Sequence, residues 1–220
     1  MQKRRVGILI SGRGSNMQAL IGAMRQPNFP AEPVVVLSNR PDAEGLAWAQ
    51  SQGIPAHAIV HKAYANRMAF EARLHQALLD AKVDLICNAG FMRMLTGGFV
   101  DRWQDRQLNI HPSLLPAFPG LDTHARVLEH GPVITGCTVH FVRTEMDSGP
   151  IIAQAAVPVV PGDTAETLAA RVLEAEHRLY PHALHLVASG TVRVVDERVV
   201  MTPPIGKVPT LLWPPLGPLG

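Results

Sequence analysis

The sequence has few cysteines and no apolar run long enough to cross a membrane. Only two of its 220 residues are cysteine, and both Cys87 and Cys137 lie inside apolar stretches. We therefore expect two buried free thiols rather than a disulfide, which is typical of a reducing compartment. The chain also lacks the roughly 18 consecutive apolar residues of a membrane span and the N-terminal pattern of a signal peptide. These absences predict a cytoplasmic protein without a membrane partner.

Charged residues are scarce as well. They make up 17% of the chain, against 47% hydrophobic residues, a balance typical of a globular protein rather than a disordered one. The formal net charge is +2 and the only basic run is Lys3-Arg4-Arg5, so the composition does not indicate a nucleic-acid partner. We expect a single domain over residues 1–201, and over residues 202–220 a proline-rich tail that is either on the surface or disordered.

The first half of the chain alternates apolar runs with helical patterns. We predict strands over residues 6–10, 34–37, 56–60 and 83–88, and helices over residues 15–25, 43–52 and 66–81. After residue 110 follow a short helix (123–129), two strands with no helix between them (134–142 and 151–159), a long helix (164–187) and a hairpin (192–195 and 198–201). The predicted fold is α/β: an open, mostly parallel, doubly wound sheet with antiparallel strands toward the C-terminus.

A glycine turn, residues 11–16, lies between the first strand and the first helix. Its glycines allow close backbone approach, and the helix N-terminus offers free N–H groups with a partial positive charge. A dinucleotide site is not indicated, because Met17 replaces the third small residue and the second strand ends without an acid. A Gly-Lys-Ser/Thr phosphate loop is absent from the sequence. We predict that the turn binds the phosphate of a small ester, although such glycines often serve backbone conformation alone.

Two polar side chains share one face at the end of a further short strand. Asn109 and His111 are two residues apart and so project together, and Pro112 then ends the strand pairing. A neutral amide donor beside an imidazole suits a reaction in which negative charge develops on a carbonyl oxygen. The alternative is a strand end with a buried amide and a solvated histidine. Asp147, in a turn between two long strands, could orient the His111 ring, but it is first a turn residue.

The segment after the fourth strand could form an apolar slot. Its apolar residues, Phe91, Met92, Met94 and Leu95, suit a flat heterocycle, and Arg93 an anionic group, although ordinary core packing explains the apolar ones equally well. His182 and His185 could share a helix face, but the spacing offers no third metal ligand. Serine and cysteine nucleophile signatures are also missing from the sequence.

Taken together, these segments resemble the glycinamide ribonucleotide formyltransferases, the folate-dependent enzymes of purine synthesis. The residues that carry the resemblance are 11–16, 89–93, 109–116, 119–121, Thr123, His124, 139–142, Asp147, Gly149 and Pro150. They occur in order and at plausible spacing. The glycine turn that leads into Ser15 and Asn16 is the feature most particular to this family.

The resemblance implies transfer of the formyl group of 10-formyltetrahydrofolate to the amine of 5-phosphoribosylglycinamide (GAR), without a metal ion. It implies Asn109, His111 and Asp147 as the catalytic residues. The implied GAR-binding residues are Gly14, Ser15, Asn16 and Glu176. The implied folate-binding residues are Arg67, Met92, Arg93, Met94, Leu95, Asn109, Arg143, Thr144, Glu145, Met146 and Asp147. The expected partners are these two small molecules, and the protein is expected to be a monomer or a homodimer.

Three other functions compete with this interpretation. A formyltetrahydrofolate deformylase uses a similar core with water as the acceptor, but generally carries an extra N-terminal domain. A methionyl-tRNA formyltransferase needs a C-terminal RNA-binding domain, and a non-catalytic nucleotide-binding module would not need the three polar residues together. Within the resemblance, the departures from the family pattern are Arg13, Asp122 and Leu173, none of which is a catalytic position.

Overall fold

A computed structural model of the chain describes residues 2–202. The helices are α1 (Ser15–Met24), α2 (Glu44–Ser51), α3 (Arg67–Asp80), α4 (Gly97–Arg102), α5 (Thr123–His130) and α6 (Ala165–Ala188), with a 3-10 turn at His61–Ala63. The strands are β1 (Arg4–Ile10), β2 (Ala31–Ser38), β3 (Ala56–Ala58), β4 (Leu85–Asn88), β5 (Gln107–His111), β6 (Ile134–Phe141), β7 (Ile151–Pro158), β8 (Val192–Val195) and β9 (Arg198–Met201). The predicted tail, apart from Thr202, lies outside the described residues.

Seven strands form one sheet in the order β3-β2-β1-β4-β5-β6-β7. Strands β1 to β5 pair in parallel, whereas β6 pairs antiparallel with both β5 and β7. The β8–β9 hairpin forms a separate small sheet. The predicted fold class is therefore confirmed. The strand order reverses between β1 and β4, and ligands of open α/β sheets bind in the crevice at such a switch point.

Helices cover both faces of the sheet, which explains why the inner strands read as continuous apolar runs. Helices α1, α2, α5 and α6 pack on one face with Ile8, Leu20 and Tyr180 in the core. Helices α3 and α4 pack on the other around Phe70 and Trp103. The Tyr180 hydroxyl lies 3.0 Å from the carbonyl oxygen of Asn88 and 3.1 Å from that of Leu108. These two hydrogen bonds hold α6 against β4 and β5.

Side-chain caps explain where two of the helices begin. Asn66 begins α3, because its side chain accepts a hydrogen bond from the Ala69 N–H at 2.9 Å. Thr164 begins α6 with a reciprocal capping box to Thr167. Helix α4 was not predicted, since it opens with Gly97-Gly98, a pair of poor helix formers.

Both cysteines are free and buried, as predicted. Burial raises the pKa of each thiol to about 12, so neither ionises near neutral pH. Between residues 2 and 202 the fold has no helix whose length and hydropathy would let it cross a membrane.

Candidate active site

Three of the predicted site segments lie at the ends of three neighbouring strands of the sheet. Leu9 of β1 pairs with Asn88 of β4, and Asn88 pairs with Asn109 of β5. The glycine turn, the segment after β4 and the end of β5 therefore lie side by side. This is the switch-point crevice that the strand order creates.

Asn109 contacts a histidine of the next strand. Its amide Nδ2 lies 3.3 Å from Nε2 of His140, the residue paired with it across β5 and β6. Nδ1 of His140 lies 2.9 Å from the Phe141 carbonyl oxygen, which can only accept, so this nitrogen carries the ring proton. Burial lowers the pKa of His140, so its ring is neutral at pH 7. Nε2 is then an acceptor, and it fixes the orientation of the Asn109 amide.

His111 faces an oxygen on each side of its ring. Nε2 lies 2.9 Å from the Phe118 carbonyl oxygen, and Nδ1 lies 3.4 Å from Oδ2 of Asp147. Both side chains are buried, with 7% of the His111 side chain and 10% of the Asp147 side chain exposed. Both nitrogens of the ring therefore face oxygen acceptors in a site that water barely reaches.

Asp147 reaches this cluster through a loop that folds back along the sheet. The loop leaves β6 beside the amino end of β5, where the Val142 N–H donates to the Gln107 carbonyl at 2.8 Å. Asp147 adopts a left-handed conformation with φ 55°. Its Oδ2 accepts the Gly120 N–H at 2.9 Å, and its Oδ1 lies 3.8 Å from Nε2 of His140. The structure thus brings Asn109, His111 and Asp147 into one cluster.

Two histidines of this cluster were not predicted as site residues, although both lie in segments that carry the family resemblance. Only the β5–β6 register places His140 opposite Asn109. His124, in the first turn of α5, lies close enough for the charge of His111 to lower its pKa, after the larger effect of burial. Its Nδ1 is buried without a hydrogen-bond partner. Both residues belong to the described site even though sequence periodicity did not indicate them.

The glycine turn positions the start of α1. Gly14 is left-handed, with φ 73°, and α1 begins at Ser15 without a side-chain cap. Its first backbone N–H groups are therefore left for a ligand. Two cavities flank the turn, one of about 540 Å³ and one of about 430 Å³. Arg13 and Ser15 line both of them, and Leu173 lines the smaller.

Asn16 and Glu176 form a buried pair beside the turn. The Asn16 amide donates to the Glu176 carboxylate at 2.6 Å, and Oδ1 of Asn16 is buried without a partner. Burial raises the pKa of Glu176, and the hydrogen bond from Asn16 opposes that shift. The Asn16 oxygen and the Glu176 carboxylate can accept hydrogen bonds from hydroxyl groups of a ligand. The N-terminus of α1 beside them suits a phosphate, so the site fits a ligand that carries both kinds of group.

The residues expected at the folate site are more dispersed. Met92 and Met94 are 67% and 49% exposed, and the Arg93 guanidinium lies 5.4 Å from the centre of the Phe70 ring. Leu95 is half-buried, and Arg67 is exposed at the first position of α3. Thr144, Glu145 and Met146 are exposed in the loop that carries Asp147.

Arg143 is directed away from the cluster. Its guanidinium forms ion pairs with Asp105 at 2.6 Å and with Glu197 at 2.7 Å. A folate contact of this guanidinium is a prediction that would require these pairs to break. Among the residues that the structure describes, no group of three or more His, Cys, Asp or Glu side chains is arranged to hold a metal ion.

Comparison with known proteins identifies the family. The profile described as Formyl transferase matches residues 4–184. The chain is 52% identical over 196 residues to the trifunctional purine biosynthetic protein adenosine-3 of Bos taurus, covering 89% of this chain but only 19% of that protein. It is 42% identical to phosphoribosylglycinamide formyltransferase of Escherichia coli, covering 86% of this chain and 90% of that enzyme.

Comparison with solved structures indicates the same family. Glycinamide ribonucleotide transformylase 1 from Symbiobacterium toebii is 48% identical, with a TM-score of 0.88 over 90% of this chain and 94% of that one. A formyltetrahydrofolate deformylase from Pseudomonas syringae is 23% identical with a TM-score of 0.84, a likeness of fold alone, and the match spans 66% of its length. The chain therefore belongs to the formyl transferase family, among its phosphoribosylglycinamide formyltransferases.

Proposed function

We propose that this chain transfers the formyl group of 10-formyltetrahydrofolate to the amine of GAR, giving N-formyl-GAR and tetrahydrofolate in purine biosynthesis. The observation that carries the proposal is the cluster of Asn109, His111 and Asp147 beside the glycine turn. The chain is also 42% identical to the Escherichia coli enzyme over 90% of that enzyme's length. The trifunctional relatives are about five times longer, and this proposal concerns only the formyl transfer.

GAR binding is assigned to Gly14, Ser15, Asn16 and Glu176. The open N–H groups at the start of α1, together with the Ser15 hydroxyl, suit the phosphate dianion. The buried Asn16 and Glu176 side chains suit ribose hydroxyl groups. These contacts would place GAR at the side of the crevice formed by α1 and α6.

The folate is assigned to the segment after β4 and the loop that carries Asp147. The exposed Met92 and Met94 supply apolar surface, with Leu95 beside them. Arg93 and Arg67 are cations suited to its carboxylates. The remaining proposed contacts of the folate are Asn109, Arg143, Thr144, Glu145, Met146 and Asp147.

The catalytic step follows from the chemistry of these groups. The GAR amine attacks the formyl carbon, a C–N bond forms, and the carbonyl electron pair moves onto oxygen. Asn109 has a second amide N–H to donate to that oxyanion. The nitrogens of His111 face Phe118 and Asp147, so in its protonated form this ring stabilises the oxyanion through its positive charge. Collapse of the intermediate breaks the bond to N10 of the folate. N10 gains one proton as the amine loses one, and Asp147 stabilises the charged imidazole meanwhile.

The principal alternative is hydrolysis of 10-formyltetrahydrofolate, with water as acceptor. One assay separates the two activities: tetrahydrofolate formation is followed from 10-formyltetrahydrofolate with and without GAR. Release that depends on GAR, with N-formyl-GAR detected by mass spectrometry, supports the transferase. Release at the same rate without GAR would establish the deformylase instead, and no release in either mixture would favour a binding module.

Replacing Ser15 and Asn16 together by alanine is expected to raise the KM for GAR about 10- to 100-fold, the scale of losing hydrogen bonds to a charged group. The KM for 10-formyltetrahydrofolate should change much less. Steady-state kinetics with each substrate varied in turn measures the difference. Ser51→Ala, at an exposed serine in the last turn of α2, is the matched control. Equal increases in both KM values would contradict this assignment and indicate that the phosphate binds in another part of the crevice.

Location, assembly and metal independence are further proposals. Two buried free thiols support a reducing, cytoplasmic location. We propose that the protein works as a monomer or a homodimer and that its reaction uses no metal ion. Assay after dialysis against a chelator tests the last point, since a metal-dependent enzyme would lose its activity.

A further inference from the structure

The segment between β4 and α4, residues 89–96, has no regular secondary structure. It carries four of the residues assigned to the folate: Met92, Arg93, Met94 and Leu95. Two of these, Met92 and Met94, are largely exposed, so their own packing contributes little to holding the segment in place. Besides the packing of Phe91 and Leu95 against the core, two buried polar side chains from other elements hold it.

Ser11 holds the middle of this segment. Its hydroxyl accepts the Met92 N–H at 2.8 Å and donates to Oδ1 of Asn39 at 2.6 Å. Ser11 and Asn39 are buried, with 6% and 4% of their surfaces exposed. Ser11 follows β1 and Asn39 follows β2. The Ser11 hydroxyl therefore connects the ends of these two strands to the segment that follows β4. The single proton of the hydroxyl is used on Asn39, so Ser11 holds Met92 and cannot also donate to a ligand.

Glu71 of α3 holds the C-terminal end. Its Oε1 accepts the Thr96 N–H at 2.8 Å, and its Oε2 accepts the Thr96 hydroxyl. The Thr96 hydroxyl makes no capping bond to α4 and donates to Glu71 instead. Glu71 is only 4% exposed, and a buried carboxylate that loses a donor is costly. The carboxylate therefore ties the segment to a rigid helix.

We propose that Ser11 and Glu71 are positioning residues for folate binding, acting through the two ends of the stretch Met92–Thr96. The inference rests on the proposed function. Neither side chain is hydrogen-bonded to Asn109, His111 or Asp147. Each therefore affects how the folate is held and does not take part in the chemical step. The distance between the two anchors sets how the apolar surface of Met92 and Met94 is presented.

Two variants remove one anchor each. Ser11→Ala leaves the Met92 N–H without its acceptor, and Thr96→Val leaves one Glu71 oxygen without its donor. Each should raise the KM for 10-formyltetrahydrofolate about 5- to 100-fold, the scale of leaving a buried polar group unpaired. The KM for GAR and kcat should change much less, and for Thr96→Val, which lies outside the glycine turn, they should stay close to wild type. The Kd of tetrahydrofolate, measured by calorimetry, should rise in parallel, and Thr96→Ser, which keeps the hydroxyl, should restore it.

Ser38→Ala is the matched control, because Ser38 is also buried at a strand end and accepts the Arg40 N–H at 3.0 Å, outside the 89–96 segment. It should leave both KM values unchanged. If Ser11→Ala does not fold, the comparison of Thr96→Val with Thr96→Ser tests the proposal on its own. A wild-type protein that cannot formylate GAR would contradict the proposed function. An active wild type whose anchor variants change both KM values equally, or neither, would overturn the positioning roles alone.

Discussion

Asn109→Ala is expected to lower kcat by about 10²–10³-fold, the scale of removing one donor to a developing oxyanion. The amide is fixed by the neutral His140 ring, which accepts from one of its N–H groups and leaves the other for the substrate. Because the contact strengthens as negative charge develops, the loss should fall on kcat rather than on either KM. Single-turnover kinetics with both substrates saturating measures the chemical step directly.

Asn28→Ala serves as the control for this substitution. Asn28 is exposed in the connection between α1 and β2, and its variant should retain the wild-type rate. Thermal unfolding of both variants shows whether the fold is preserved. A folded Asn109→Ala enzyme with nearly the wild-type rate would contradict the role assigned to this amide.

Asp147→Asn is expected to lower kcat by about 10²–10⁴-fold, the range typical of losing a general acid–base contribution. Asparagine tolerates the left-handed backbone, φ 55°, and its carbonyl can still accept the Gly120 N–H. The substitution therefore removes mainly the negative charge that faces Nδ1 of His111 at 3.4 Å. Without that charge the His111 ring loses the carboxylate that faces it.

The comparison variant for Asp147→Asn is Asp196→Asn. Asp196 is also left-handed, φ 48°, but it lies in the exposed β8–β9 turn. The same chemical change there should leave kcat unaltered. Thermal unfolding of both variants shows whether the fold is preserved. An unchanged rate in a folded Asp147→Asn variant would remove Asp147 from the mechanism.

The sequence predicted the sheet because its signals are local. Apolar runs separated by helical patterns give the strand and helix order, and the missing helix between residues 142 and 151 gives the antiparallel strands. The shared face of Asn109 and His111 also follows from the two-residue period of a strand. Each of these features depends on residues that are close together in the chain.

The rest of the site depends on distant contacts. The pairing of Asp147 with His111 requires the loop after β6 to fold back along β5, and no periodicity encodes that path. His140 becomes a neighbour of Asn109 only once the β5–β6 register is known. The ion pairs of Arg143 with Asp105 and Glu197 likewise join residues far apart in sequence, so the direction of this side chain could not be predicted.

The bond between Asn16 and Glu176 also bears on how the protein acquires its activity. The two residues are 160 positions apart, at opposite ends of the globular chain. Contacts of such separation form late, since the entropy of closing a long loop must be overcome first. If Asn16 and Glu176 bind GAR as proposed, helical circular dichroism should recover before affinity for GAR does during refolding. Binding of GAR would then report completion of the fold rather than its beginning.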